Sequence, residues 1–110
     1  MLYVDADNTI RLTRGDTAYL EVPLVDAVTG ATYEMQSGDK LTLSVKKNVK
    51  DSACCFSKVV EGTNLFKILP EDTAGCEFAK YKYDVQLDTA SGDTFTVIEP
   101  ACFTIMPEVT

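Results

Sequence analysis

The amino-acid sequence predicts an all-β fold, an antiparallel β-sandwich of seven or eight short strands with at most one short helical turn. Apolar and polar side chains alternate with a period of two in several segments, as they do in half-buried strands. Turn-forming residues recur at short intervals, and no window of ten or more residues carries the apolar stripe of a helix. Because 110 residues fit one domain with its own core, residues 1–110 are interpreted as a single domain.

Three segments carry the strongest strand signal. Apolar and polar residues alternate in 17–24 and in 41–46, and Pro23 places the first of these at a sheet edge or a bulge near its end, because proline cannot donate to a β-ladder. In the third, one face is formed by Tyr81, Tyr83, Val85 and Leu87. The alternation resumes in TFTVIE after the loop TASGD, so residues 80–99 are predicted to form a β-hairpin, with Gly92 supplying the positive φ that such a loop needs.

Weaker alternation predicts the remaining strands, at residues 10–12, 54–60, 65–69 and 102–106. Residues 61–64, with the sequence EGTN, are predicted to form a hairpin loop between two of them. One helical turn is predicted at residues 70–74, where Pro70 suits a first helical position. Residues 1–8 are interpreted as an N-terminal arm, either flexible or paired with a strand.

Charge and hydropathy exclude several classes of partner. The net charge of −7 opposes phosphate backbones and anionic lipid surfaces, so neither nucleic acid nor a membrane is an expected partner. Asp5 and Asp7 interrupt the N-terminal segment, which has no basic region and no apolar core of a signal peptide. The chain is expected to be synthesised in the bacterial cytoplasm, and Met1 suggests a complete small protein or the start of a longer one.

The four cysteines are Cys54, Cys55, Cys76 and Cys102. No pair has the spacing of a zinc or redox site, and the chain contains no histidine to complete a mixed site. Reduced thiols are the expectation, and two bridges are left open, Cys54–Cys76 and Cys55–Cys102.

No residue set points to catalysis. Without histidine the commonest general base is absent, and a thiol activated by Lys58 is a weaker interpretation than a packed or exposed one. Asp84 and Asp88 are too far apart along a strand to share a site. The acidic residues Asp88, Asp93 and Glu99 lack the dense spacing of a calcium loop. No catalytic residue, metal ligand or cofactor is therefore predicted, and the chain is not expected to be an enzyme.

Two short motifs have a structural and a functional interpretation. The triplet Arg14-Gly15-Asp16 resembles an adhesion motif, yet a turn before the next strand explains it as well. Lys46, Lys47 and Lys50 cluster in an otherwise acidic chain. They are typical of a solvated strand end, and the alternative is contact with an acidic patch on a neighbouring copy.

The segment PEDTA, residues 70–74, is the corner that precedes a core strand in antibody variable domains. Two markers of those domains are missing: Val85 stands where a cysteine would follow Tyr83 by two residues, and the chain has no tryptophan. Tyr81 or Tyr83 is a candidate for a tyrosine corner, with a plain core tyrosine as the alternative.

Taken in order, the segments RGDTAYLEVPLVDAVTG, GDKLTLSVKK, LPEDTAG, KYKYDVQL, SGDTFTVI and FTIMPEV resemble the small immunoglobulin-like proteins of phages and prophages of Gram-positive bacteria. The chain is similar to the N-terminal domain of phage baseplate upper proteins over roughly residues 10–108. Ala79 departs from this likeness, since a glycine is usual there.

The resemblance implies an immunoglobulin-like fold and a non-enzymatic, structural role in a phage or prophage tail. The expected partners are other tail or baseplate subunits, with a homo-oligomer as a further form, and the expected location after assembly is the virion. The alternative is an immunoglobulin-like module that binds carbohydrate or a surface receptor. The predicted loops support it weakly, because Tyr33 is the one aromatic residue in them.

Overall fold

A computed structural model describes the backbone of residues 2–4 and the backbone and side chains of residues 8–26, 28–48, 50 and 55–107. These residues form eight strands and one helical turn. The elements are β1 (Leu2–Val4), β2 (Ile10–Thr13), β3 (Ala18–Glu21), β4 (Lys40–Lys46), β5 (Phe56–Glu61), β6 (Leu65–Ile68), α1 (Pro70–Thr73), β7 (Ala79–Asp88) and β8 (Thr94–Met106). The all-β prediction with one short helical turn is confirmed.

The strands form a six-stranded sheet in the order β1-β2-β8-β7-β4-β5 and a two-stranded sheet of β3 and β6. All neighbouring strands are antiparallel except β2 and β8, which pair in parallel, with Ile10 opposite Phe103. The prediction of purely antiparallel sheets is therefore wrong. Alternation of side chains has the same period in both kinds of ladder, so the pattern could not reveal a parallel pair.

Both sheets contribute to one buried core. Alternate residues of the large sheet and of β3 and β6 belong to one buried cluster that includes Leu20, Leu43, Phe66, Val85 and Phe103. The Phe103 ring makes edge-to-face contacts with Phe56 and Tyr83, at centroid distances of 5.7 and 5.8 Å. Full burial of each large apolar side chain stabilises the fold by about 2 kcal/mol, so this cluster holds the two sheets together.

The predicted β-hairpin at residues 80–99 is confirmed as the β7–β8 pair, and Gly92 in its loop has φ 99°. Residues 61–64 form a turn, but the prediction of a hairpin there is wrong. β5 pairs with β4 and β6 pairs with β3, so this turn carries the chain from one sheet to the other. The Asn64 side chain anchors the turn, because its Nδ2 donates to the Val22 carbonyl at 2.8 Å.

The helical turn α1 begins at Pro70, as predicted. The Asp72 carboxylate accepts a hydrogen bond from the Leu69 amide at 2.7 Å and forms an ion pair with Lys58 Nζ at 2.9 Å. β3 ends two residues before Pro23 and lies in the two-stranded sheet, which fits the predicted edge position.

Candidate functional site

The cysteines are arranged differently from the expectation. Cys55 and Cys76 form a disulfide with their Cα atoms 6.1 Å apart, so the prediction of reduced thiols is wrong for this pair, and Cys55 does not bridge to Cys102. Cys55 lies just before β5 and Cys76 just after α1, where neither is held in a strand. Cys54 lies outside the described residues. The half-buried Cys102 thiol is unbridged, and Lys82 Nζ donates to its Sγ at 3.3 Å.

The acidic residues considered for calcium do not converge. Within the described ranges, no group of three or more cysteine, aspartate or glutamate side chains is placed to hold a metal ion. Asp88 accepts a hydrogen bond from Thr94 Oγ1 at 2.8 Å across the β7–β8 ladder. Asp84 lies on the same solvent-facing side of β7, four register rows away.

The Arg14-Gly15-Asp16 triplet forms a turn between β2 and β3 that contacts the end of β8 and the α1 region. Gly15 has φ 86°, and its amide donates to the buried Thr73 Oγ1 at 3.0 Å. The Arg14 amide bonds the Met106 carbonyl, and its guanidinium lies 4.2 Å from the centre of the Phe78 ring. These contacts give the triplet a structural role, as its interpretation as a turn before the next strand predicts.

The two core tyrosines have different hydroxyl partners. Tyr81 donates its hydroxyl hydrogen to the carbonyl of Glu77, four residues upstream, at 2.8 Å, which is the bond of a tyrosine corner. Tyr83 donates to the carbonyl of Asn8, ahead of β2. Of the two candidates, Tyr81 makes the upstream bond, although its acceptor Glu77 follows the turn at residues 70–74 that is expected to accept it.

Within the part of the chain that the structure describes, one edge of β8 is open over most of its length. β7 pairs with β8 along one side from Thr94 to Ile105, whereas β2 covers the other side only at residues 103–106. Among the described residues, no strand pairs with that second side at residues 94–102. An unpaired edge presents backbone donors and acceptors to any extended chain that approaches it. Pro100 has no backbone N–H to donate, so residues 94–99 form the part of the open edge that could pair with an added strand.

An apolar cleft lies against this open edge. Its lining includes Phe95, Thr96 and Val97 of β8 together with Val25 and Val28, around a space of about 620 Å³. Val28 is 93% exposed, Val25 63% and Phe95 52%, which is unusual for large apolar side chains that stand together. Large apolar patches on a protein surface commonly mark interaction sites.

A buried carboxylate holds Tyr33, one of the residues that line the cleft. Asp39 is 2% exposed and accepts hydrogen bonds from the Tyr33 hydroxyl, from the Gln36 amide at 2.9 Å and from the Ala90 amide at 3.0 Å. The bond from Tyr33, followed by those from the two amides, lowers the pKa of Asp39, while the same Tyr33–Asp39 bond raises the pKa of Tyr33. Tyr33, the aromatic residue expected in a loop site, therefore serves as a bonded wall of the cleft.

The lysines at 46, 47 and 50 lie where β4 ends and are joined there by Lys80 and Lys82 of β7. Lys47 forms an exposed ion pair with Glu77 at 3.6 Å. Sequence reasoning found the first three lysines and missed the β7 pair, because the β4–β7 register that unites them is not a local property.

No helix among the described residues is long and apolar enough to cross a membrane. Comparison of the chain with protein-family models, with curated proteins and with solved structures gives no match.

Proposed function

We propose that this chain is an immunoglobulin-like β-sandwich that serves as a structural, non-enzymatic assembly module of a phage or prophage tail, of the baseplate type. It works by protein–protein contacts with other tail subunits, inside the virion, and binds neither nucleic acid nor membrane. The observation that carries the assembly role is the open edge of β8 beside the apolar cleft.

The strand order supports the immunoglobulin-like part of the proposal. The order β8-β7-β4-β5 corresponds to G-F-C-C′ in variable-type immunoglobulin domains, and the β3-β6 pair corresponds to B-E. The Tyr81–Glu77 bond lies at the start of the strand that corresponds to F, where a tyrosine corner belongs. The Cys55–Cys76 disulfide has no counterpart in variable-type domains, where the usual disulfide joins strands B and F.

The chemistry of the β8 edge favours an extended peptide as the bound element. Backbone groups at residues 94–99 would bond a strand added alongside β8, and alternate side chains of that strand would enter the cleft between Phe95 and Val28. In a tail, neighbouring subunits present terminal arms and loops at high local concentration, so one added strand would be enough for a stable contact.

The test uses the tail proteins encoded by genes beside this one, co-expressed and co-purified with the chain. The variant Val28→Asp/Phe95→Asp places two charges in the cleft, and its matched control Tyr19→Asp/Leu65→Asp changes two exposed apolar residues on the two-stranded sheet. We expect at least tenfold weaker binding for the cleft variant and unchanged binding for the control. A cleft variant that binds as wild type, or a wild type that binds no neighbouring tail protein, would overturn the proposal.

Ligand binding is the second candidate, and the exposed Phe95 ring is the observation in its favour, because sugar-binding surfaces use exposed aromatic rings. Saturable binding to a glycan array that Phe95→Ala abolishes would replace the assembly proposal. Absence of glycan binding together with capture of a tail subunit would leave assembly as the function.

A further inference from the structure

The solvent-facing side of the large sheet, called here the outer face, carries charges that change sign along its strands. Its residues are the ones that alternate with the buried core positions in β4, β5, β7 and the last part of β8. They are Lys40, Thr42, Ser44, Lys46, Ser57, Val59, Glu61, Lys80, Lys82, Asp84, Gln86, Asp88, Cys102 and Thr104.

One end of the outer face is basic. Lys46 and Lys82 are direct register partners on neighbouring strands, and Lys80 follows on the same side of β7. Like charges directly opposite each other in a sheet are unfavourable unless something neutralises them. Among the described residues, no carboxylate forms an ion pair with any of these three lysines, and the Lys82 ammonium group contacts the Cys102 sulfur at 3.3 Å instead.

The other end of the outer face is acidic. Asp84 comes two residues after Lys82 on the same side of β7, so their Cα atoms are about 7 Å apart. Asp88 and Glu61 lie further in the same direction, on either side of Lys40. The sign of the charge therefore changes between Lys82 and Asp84, on a strand that is flanked on both sides within the sheet.

We propose that the outer face pairs with the outer face of a second copy of this chain about a two-fold axis near the Lys82–Asp84 boundary. A two-fold contact places each half of a surface against the opposite half of its mate. The lysine end of one copy then meets the carboxylate end of the other, twice. The residues near the boundary, Thr42, Ser44 and Ser57, are small enough to let the two sheets approach closely.

The dimensions of the outer face place this contact among small interfaces. The seven residues of β4 extend about 24 Å, and four neighbouring strands span about 19 Å, so each copy offers roughly 450 Å². That area lies below the range of permanent dimers and in the range of transient ones. A dissociation constant in the micromolar to millimolar range is therefore expected.

The inference extends the proposed assembly role to a second copy, yet it stands on residues other than the β8 edge. If the chain dimerises through its outer face but binds no tail subunit, the proposed function is contradicted and this inference stands. If the chain binds a tail subunit through the cleft but stays monomeric, this inference is contradicted and the proposed function stands.

The test mixes two variants with opposite charge reversals. Lys46→Glu/Lys82→Glu makes the basic end acidic, and Glu61→Lys/Asp84→Lys makes the acidic end basic. Each variant should repel its own copies and remain monomeric in sedimentation equilibrium, whereas an equimolar mixture should form heterodimers at least as tightly as wild type forms homodimers. Salt dependence is less informative, since salt also screens the repulsion between two chains of charge −7.

Two further measurements keep the test decisive. The control Glu21→Lys/Lys67→Glu reverses exposed charges on the two-stranded sheet and should dimerise as wild type does. In wild type, amide NMR shifts of Thr42, Ser44 and Gln86 should move as the protein is concentrated to about 1 mM, while those of β3 and β6 stay fixed. A mixture that remains monomeric, or wild-type shifts that do not move on the outer face, would overturn the proposal.

Discussion

Replacement of Tyr81 by phenylalanine tests the corner that links α1 to β7. The side chain is 5% exposed, and the substitution keeps the ring in the core while it removes the hydrogen that Tyr81 donates to the Glu77 carbonyl. A net hydrogen bond of this kind contributes about 1 kcal/mol to the free energy of unfolding. For 110 residues the unfolding entropy is about 230 cal/mol/K, so Tm should fall by about 4 °C.

The assay is thermal unfolding followed by circular dichroism, together with urea unfolding at 25 °C. The matched control is Tyr19→Phe, which removes a hydroxyl from a ring that is 58% exposed, and we expect its Tm to change by less than about 2 °C. Equal shifts for the two variants would refute the corner, and so would an unchanged Tm for Tyr81→Phe. Either result would also remove one support of the immunoglobulin-like fold.

The remaining predictions concern a carboxylate, a disulfide and a buried hydroxyl. Bonds from Tyr33 and two amides lower the pKa of Asp39 below its usual 3.8. The ionised Asp39 carboxylate therefore stabilises the folded state fully above pH 3.8, and this stabilisation is lost as the pH falls through the lower pKa of the folded state. The difference in free energy of unfolding between wild type and Asp39→Asn, measured by urea unfolding, should shrink below about pH 4. Reduction of the Cys55–Cys76 bridge, which closes a separation of 21 residues, should cost about 3 kcal/mol, and thiol titration of the denatured, unreduced protein should find at most two thiols. Thr73→Val leaves a turn amide without its acceptor and should lower the free energy of unfolding by 1 to 2 kcal/mol, about the cost of one unmade buried bond; a change near zero would mean that water replaces the hydroxyl.

Strand positions could be read from the sequence because burial on one side of a sheet enforces a period of two. Tyr81, Tyr83, Val85 and Leu87 show this, since all four are at most 5% exposed. Turns were equally local, because Gly92 and Pro70 act through their own backbone angles.

Pairing between strands was less accessible, because it depends on residues far apart in the chain. The turn at 61–64 has the composition of a hairpin loop, yet the strands on either side of it do not pair with each other. β5 pairs with β4, and β6 pairs with β3. The open edge of β8 results from unequal lengths, 4 residues in β2 against 13 in β8, and no local pattern encodes that mismatch. The lysine cluster and the Cys55–Cys76 bridge depend on the same long-range geometry.

The central claim is that the β8 edge is the assembly surface, and amide hydrogen exchange tests it most directly. In the protein alone, some amides at residues 94–99 should exchange rapidly, because no described strand pairs with that side, while those at 103–106 stay protected by β2. On binding a tail subunit encoded nearby, exchange at 94–99 should slow by at least tenfold, with residues 103–106 unchanged. Full protection at 94–99 in the protein alone, or no change there on binding, would contradict the account.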